Sequence, residues 1–194
     1  LLDALAAAGR QVLDLEKLAA HKGSVLGDLP AEPQPSQKMF ESRIWTALSG
    51  FDPSRLVYVE AESKKVGVVR VPEQLMQLMR ASPCYEVLTP APMRVQLLRE
   101  EYLHLITDTG LLFSKLDCLV DLHSRERIEA WKNMAAAGDW DRFVADMLET
   151  HYDPAYSRSM FRNYTGAADA GGLPVTGISA ADFAAVARRL PESG

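Results

Sequence analysis

An α/β layered domain with a mainly parallel sheet is the fold class this sequence predicts, and three patterns predict it. Short apolar runs of strand length, Gln11–Leu15 and Leu56–Val59, alternate with longer segments whose apolar residues recur at helical spacing. Both runs lead into acids, Asp14 and Glu16 at the first and Glu60 and Glu62 at the second, and an open parallel sheet places its ligand crevice at such strand ends. From Pro92 onward the chain is mostly helical, which gives covering layers for the sheet.

In order, Leu1–Ala8 is a helix without an N-cap residue, closed by Gly9 as a C-cap. The strand Gln11–Leu15 leads into a polar, glycine-containing loop to Gly27. After the proline-rich turn Pro30–Pro35, Ser36 caps a helix to about Leu48, with Phe40, Ile44, Ala47 and Leu48 on its inner side. Gly50, Asp52 and Pro53 stop it. Leu56–Val59 is the second strand, Val66–Val71 is extended, and Pro72 opens a helix that turns Leu75, Met76 and Met79 inward; Tyr85–Leu88 is the third strand. Pro92 starts a helix whose Val95, Leu98, Tyr102, Leu105 and Ile106 form one stripe. Helices follow over Leu111–Leu122, Arg125–Ala137 and Asp139–Thr150, the last carrying Trp140, Phe143, Val144, Met147 and Leu148 on one face. The run Tyr152–Tyr156, with Pro154, is expected to stop the helical pattern. Gly166, Gly171 and Gly172 mark a connector, Leu173–Ile178 an edge strand, and Ser179 with Asp182 caps a final helix.

The chain has 194 residues, 47% hydrophobic and 24% charged, a globular composition of one ordinary domain's size. Its formal charge of −5 gives no global attraction to nucleic acid, so RNA contact needs a local basic face. No apolar run reaches the ~20 residues of a membrane span. The apolar start does not read as a signal peptide, because no basic segment stands ahead of it. Cys84 and Cys118, far apart in apolar surroundings, suit two buried core thiols in a reducing compartment better than a disulfide, and the expected location is the cytoplasm. Helix, glycine, strand and carboxylates is the order that follows the phosphate loop of a P-loop protein, yet no G-x-x-x-x-G-K-[ST] occurs in these residues.

Five motifs, in order, carry a resemblance. They are Asp14-Leu15-Glu16; Ala19 with His21-Lys22-Gly23-Ser24 and Gly27; Gln34-Pro35-Ser36-Gln37 with Phe40-Glu41; Glu60-x-Glu62-Ser63 with Gly67; and His151-Tyr152-Asp153-Pro154-x-Tyr156. Together they resemble the C-terminal domain of tRNA 2-selenouridine synthase over about Leu1 to Tyr156. The resemblance implies a P-loop NTPase-like domain over residues 1–164, incomplete at its N-terminus, and an extension over 165–194. It implies that the first strand, the phosphate loop and an N-terminal rhodanese-like domain, in cis or in trans, lie outside this chain, and that the segment alone is inactive. It also implies the chemistry. The sulfur of wobble 2-thiouridine in tRNA is geranylated from geranyl diphosphate, and selenophosphate then displaces the alkylated sulfur. Where the family usually has arginine, Lys22 keeps the charge and loses the bidentate fork.

Each candidate residue has two readings. Asp14 and Glu16 either hold Mg²⁺ over a diphosphate or form a cap and a salt bridge. His21, Lys22, Gly23 and Ser24 either meet phosphate or form a capped turn. Gln34, Ser36 and Gln37 read a base or sugar, or Ser36 is simply an N-cap. Glu60, Glu62 and Ser63 form a second binding cluster beside Lys64 and Lys65. Arg94, near a helix N-terminus, requires an anionic partner, which is either a ligand or a side chain. Tyr152 and Tyr156 stack on a base, or pack with Asp153 at a helix stop. Besides a transferase, the sequence allows an RNA-binding module without chemistry or a P-loop-type kinase or nucleotidase remnant.

Overall fold

The computed structural model describes residues 1–30, 32–61 and 63–192. In chain order its elements are α1 (Leu2–Ala7), β1 (Gln11–Leu13), α2 (Leu15–Ala19), α3 (Gln37–Ser49), β2 (Val57–Val59), β3 (Lys65–Val66), β4 (Val69–Arg70), α4 (Glu73–Ala81) and β5 (Tyr85–Leu88). They continue as α5 (Ala91–Glu101), α6 (Leu103–Thr107), α7 (Thr109–Asp117), α8 (Arg125–Ala136), α9 (Trp140–Met147), a π turn (Leu148–Tyr152), α10 (Asp153–Asn163), a 3₁₀ turn (Thr165–Ala167), β6 (Gly171–Pro174) and α11 (Ala180–Ala187). These elements fall into two compact units, one of Leu1–Leu88 with Met160–Gly194 and one of Thr89–Ser159.

The first unit is α/β. β1 pairs parallel with β2, β5 pairs parallel with β6, and β3 with β4 makes a small antiparallel hairpin. The expected parallel strands are therefore present as two separate pairs. Two apolar clusters hold the unit together. One gathers Leu13, Leu15, Phe40, Ile44, Val66, Val69 and Met76 beneath α3 and the hairpin. The other gathers Leu5, Leu173, Val175, Val186 and Leu190, with Val12 and Tyr58 packed against it. Successive residues of β1, Val12 and Leu13, point to opposite clusters, as the period of a strand requires. Residues 165–194 supply β6 and α11 to this unit, and α11 begins with the capping box expected of Ser179 and Asp182.

The second unit is a helical array in which α5 packs on α9, α7 on α8 and α8 on α9. Its buried side chains include Leu105, Leu112, Leu116, Leu119, Ile128, Trp131, Phe143 and Met147, whereas Cys118, expected in the core, is exposed at the end of α7, and Cys84 of the first unit is only half-buried.

Several boundaries differ from the sequence reading. The first strand ends at Leu13 because Asp14 leaves the ladder to cap α2, where its side chain accepts from the Lys17 amide. The stripe Val95–Ile106 is split at Tyr102 (φ −105°, ψ 27°), which ends α5 and begins α6. The helix expected over Leu111–Leu122 starts at Thr109, capped by Asp108, and ends at Asp117. The edge strand sits at Gly171–Pro174, two residues early, since that frame pairs with Tyr85–Leu88. Finally, Pro154 does not stop the helix. The π turn Leu148–Tyr152 comes just before it and carries the chain into α10, so the proline stands in the first turn of α10, where its missing N–H is tolerated.

Candidate functional site

The carboxyl ends of β1 and β2 lie side by side, because Leu13 pairs with Val59, and each strand leads into an acid. After β1, Asp14 adopts an extended conformation and its Oδ1 accepts from the Lys17 amide at 2.7 Å. Just past β2, Glu60 reaches across and its Oε1 accepts from the Glu16 amide at 2.7 Å. Two carboxylates thus satisfy the amides that the first turn of α2 leaves open. The other oxygen of Glu60, Oε2, is sealed from solvent and finds no hydrogen-bond partner among the described residues.

That enclosure alters its acidity. Burial pushes the Glu60 carboxyl up to about 7; the amides of Glu16 and of Glu60 itself pull it back down, and the charges of Asp14 and Glu16 add to the rise. The group therefore changes protonation near neutral pH, the range in which a carboxyl can both give and take a proton. Glu62, its neighbour in the motif, lies outside the described residues.

Among the described residues no group of three or more His, Cys, Asp and Glu is arranged to hold a metal ion. Asp14 and Glu16 supply hard oxygen donors of the kind Mg²⁺ takes one or two at a time, with its other ligands drawn from water and substrate phosphates. A cavity of about 210 Å³ opens beside Asp14, lined by Asp3, Lys17 and the apolar side chains of Leu2, Val12, Leu13 and Leu18.

The loop that follows α2 is closed on itself. Ala20 turns the chain in the left-handed region (φ 50°), His21 is buried with Nε2 at 3.2 Å from Asp28 Oδ1, and Lys22 donates its amide to the Gly27 carbonyl at 2.9 Å. Gly27 is required by close approach, for a Cβ there would stand 2.9 Å from the Lys22 carbonyl carbon. Lys22, Gly23 and Ser24 are half-buried at the tip of this turn.

Gln34, Ser36 and Gln37 have backbone partners. The Gln34 amide donates to the carbonyls of Ala19 and Val66 at 3.1 Å each and accepts from the Val68 amide at 2.8 Å. Ser36 caps α3 through the Met39 amide. Gln37 exchanges two bonds of 2.8 Å with the backbone of Arg70 and donates to Glu41. The two glutamines bind the β3–β4 hairpin much as a further strand would. Ser63 donates to the Lys65 carbonyl, and Lys64 pairs with Glu73.

In the second unit, Arg94 finds its anionic partner in Asp153, with both guanidinium nitrogens on the carboxylate. That hydrogen-bonded pairing raises the arginine pKa further. Tyr152 and Tyr156, exposed on successive turns, lie with parallel rings 6.0 Å apart, 7° from coplanar. The sequence reading missed His123, whose Nε2 is 2.9 Å from His151 Nδ1, and the Trp131 indole that donates to Asp146 beside both histidines. No local pattern marks His123; only the packing of α7, α8 and α9 brings it to a residue 28 positions away.

A family model described as the tRNA 2-selenouridine synthase AAA domain matches residues 1–117. The chain belongs to this family. Among curated relatives, tRNA 2-selenouridine synthase of Nitrosomonas europaea is 37% identical over 95 residues, which is 47% of this chain and 24% of that protein. The synthases of Salmonella arizonae and Marinobacter nauticus are 34% and 35% identical over 93 and 92 residues, 46% of this chain in each case and 26% and 25% of theirs. The matched stretch is thus about a quarter of the length of these synthases. No solved structure matches the chain. Among the described residues no helix is long and apolar enough to cross a membrane.

Proposed function

We propose that this chain is part of a tRNA-modifying transferase that replaces sulfur by selenium in wobble 2-thiouridine, and that the strand-end cluster of Asp14, Glu16 and Glu60 belongs to its reaction centre. The reading is carried by Glu60, a carboxyl titrating near neutrality whose sealed oxygen lacks a partner among the described residues, at the crevice end of two paired strands within the family-matched stretch. In the first reaction the sulfur attacks the allylic carbon of geranyl diphosphate, the carbon–oxygen bond breaks and diphosphate leaves. In the second, the selenium of selenophosphate attacks the ring carbon, the carbon–sulfur bond breaks and geranyl thiolate departs, taking up a proton as the thiol; water then cleaves the selenium–phosphorus bond, releasing phosphate and leaving selenium on the ring. Glu60 is the group suited to move a proton to a departing oxygen or sulfur. Asp14 and Glu16 would hold Mg²⁺, which supplies charge neutralisation for the diphosphate when bound. In this reading the largely apolar cavity beside Asp14 would take the isoprenoid tail, Lys22 and Ser24 would meet phosphate, and the parallel rings of Tyr152 and Tyr156 would stack on a base. The rhodanese-like domain acts in cis or in trans, so this segment alone is inactive, and the setting is the cytoplasm.

The test is direct binding to tRNA carrying wobble 2-thiouridine across a salt series, beside the same tRNA without the modification. Binding that falls with salt and prefers the thiolated tRNA is the expected result. Equal binding of both tRNAs would favour an RNA-binding module, and binding of free nucleotide in place of tRNA would favour a kinase or nucleotidase remnant.

A further inference from the structure

A chain of net charge −5 can hold a polyanion only through a local basic face, and the first unit has one. In the β3–β4 hairpin Val66 and Val69 are buried, so Lys65 and Arg70, which stand opposite each other in the antiparallel register, both point outward. Like charges set directly across a strand pair repel, and neither residue makes an ion pair among the described residues. Lys64 beside them is exposed and paired with Glu73. From Ser63 to Arg70 the chain carries these cations and no acid, and Val68 stands out at the turn, 74% exposed.

α3 continues this face. Gln37 in its first turn exchanges two hydrogen bonds with the Arg70 backbone, which fixes the helix against the hairpin. The helix turns Phe40 and Ile44 inward, and its opposite side carries Lys38, Ser42 and Trp45, spaced by four and three residues on one stripe. Lys38 also makes no ion pair among the described residues. Trp45 is 72% exposed, whereas Trp131 is sealed and Trp140 is half-buried. Of the positions that flank Trp45 on the helix surface, Glu41, Ser42 and Ser49 are polar and only Leu48 is apolar, so the indole is not the centre of an apolar protein-docking patch. Glu41 is itself engaged, accepting from the Gln37 amide. Cations that track phosphates beside an aromatic platform open to water are the two parts of a surface for unpaired RNA.

We propose that the β3–β4 hairpin and the outer side of α3 form a contact surface for RNA, on which Lys65, Arg70 and Lys38 meet phosphates and Trp45 stacks on an unpaired base. The proposal rests on the reading of the chain as part of a tRNA-modifying enzyme, and it adds where the polynucleotide lies. Contacts of this kind position the RNA and carry no base identity, so they are indifferent to the sulfur of the wobble base.

The test uses the 194-residue chain and an unmodified, end-labelled tRNA transcript, with binding followed by anisotropy across a salt series. Lys65→Gln with Arg70→Gln should weaken binding roughly tenfold or more at low salt and make the slope of log K against log salt shallower by about two. Arg188→Gln with Arg189→Gln, an equal change of net charge just past α11, should leave the slope as it is. Trp45→Ala should cost roughly tenfold at an unchanged slope. Tryptophan emission should be quenched on binding in the parent and not in Trp45→Phe. The hairpin pair should unfold at a urea midpoint no lower than the parent's, because the substitution removes a repulsion. An unchanged slope for the hairpin pair, an equal loss from the α11 pair, no quenching on binding, no binding of the transcript at low salt, or a dimer that already covers Trp45 would each overturn the proposal. Preference for thiolated tRNA is read separately: its absence would remove the transferase reading and leave this surface in place, while its presence with an unchanged slope would remove the surface alone.

Discussion

Glu60 ties stability to pH in a direction opposite to most carboxylates. Its folded value of about 7 lies above the ordinary 4.5, so in the window between them the folded state holds a proton that the unfolded chain has released. The contribution of Glu60 to folding is fully present below about pH 4.5 and is lost as pH rises through 7, by on the order of 3 kcal/mol in total. Glu60→Gln keeps an acceptor for the Glu16 amide and removes the titration. Urea unfolding between pH 5 and 7.5 should therefore give a flatter profile for the variant than for the parent, and superimposable slopes would remove the burial argument. A second residue-scale expectation concerns Gly67. It sits at φ +59°, and a Cβ there would stand 2.0 Å from Gln34 Oε1, an atom already held by the Val68 amide. Gly67→Ala should cost about 1 kcal/mol for the left-handed backbone and more for displacing the amide. Gln34→Ala, which strands two carbonyls and one amide, should cost roughly 2–3 kcal/mol. The two changes are not additive if they act through this one contact, and a double-mutant cycle measures that coupling.

At the scale of elements, the sequence was most legible where a side chain acts on its own neighbours. Ser36 and the Ser179–Asp182 box announced their helices, and Gly9, at φ +76°, closes α1 as its position suggested. It was least legible where distant segments decide the outcome. The Gln-Pro-Ser-Gln motif allows, from its residue types, either contact with a base or sugar or a simple N-cap at Ser36, and neither reading shows that both glutamine amides are directed to a hairpin more than thirty residues away. Arg94 was correctly expected to have an anionic partner, and the partner is Asp153, brought to it by tertiary packing. Tyr152–Tyr156 reads as a helix stop because of Pro154, while the chain absorbs the proline with a π turn. The same turn carries His151, whose pKa is lowered, first by burial and then by His123. A histidine with a depressed folded pKa contributes stability above its ordinary value of 6.5 that is lost as pH falls through the folded one. Acidification below pH 6.5 should thus remove the contribution of His151, against the gain from Glu60, so His151→Gln should give a stability that rises more steeply on acidification than the parent's when unfolding is followed by the fluorescence of Trp131, which packs edge-on against His123.

At the scale of the molecule, the division into two compact units makes a single all-or-none transition unexpected. Calorimetry should give an enthalpy larger than the van 't Hoff value, with the pH shift of Glu60→Gln confined to the transition of the α/β unit. Coincident enthalpies would show that the units melt together. The α/β class was legible because apolar strand runs and amphipathic helices alternate through the first unit. The separation of the parallel strands into two pairs was not, since periodicity records which residues are buried and carries nothing about which strands are neighbours.

The glutamine clasp on the hairpin also bears on the order in which the chain assembles. β3 and β4 are two residues each, too short to persist alone in water, and the amide that secures their turn comes from Gln34, 32 residues before Val66. That contact requires a loop containing the whole of α3 and β2 to close first, and closure entropy is spent before the bond returns anything. The hairpin is thus a late event on the folding route, completed only once helix and strand have already met.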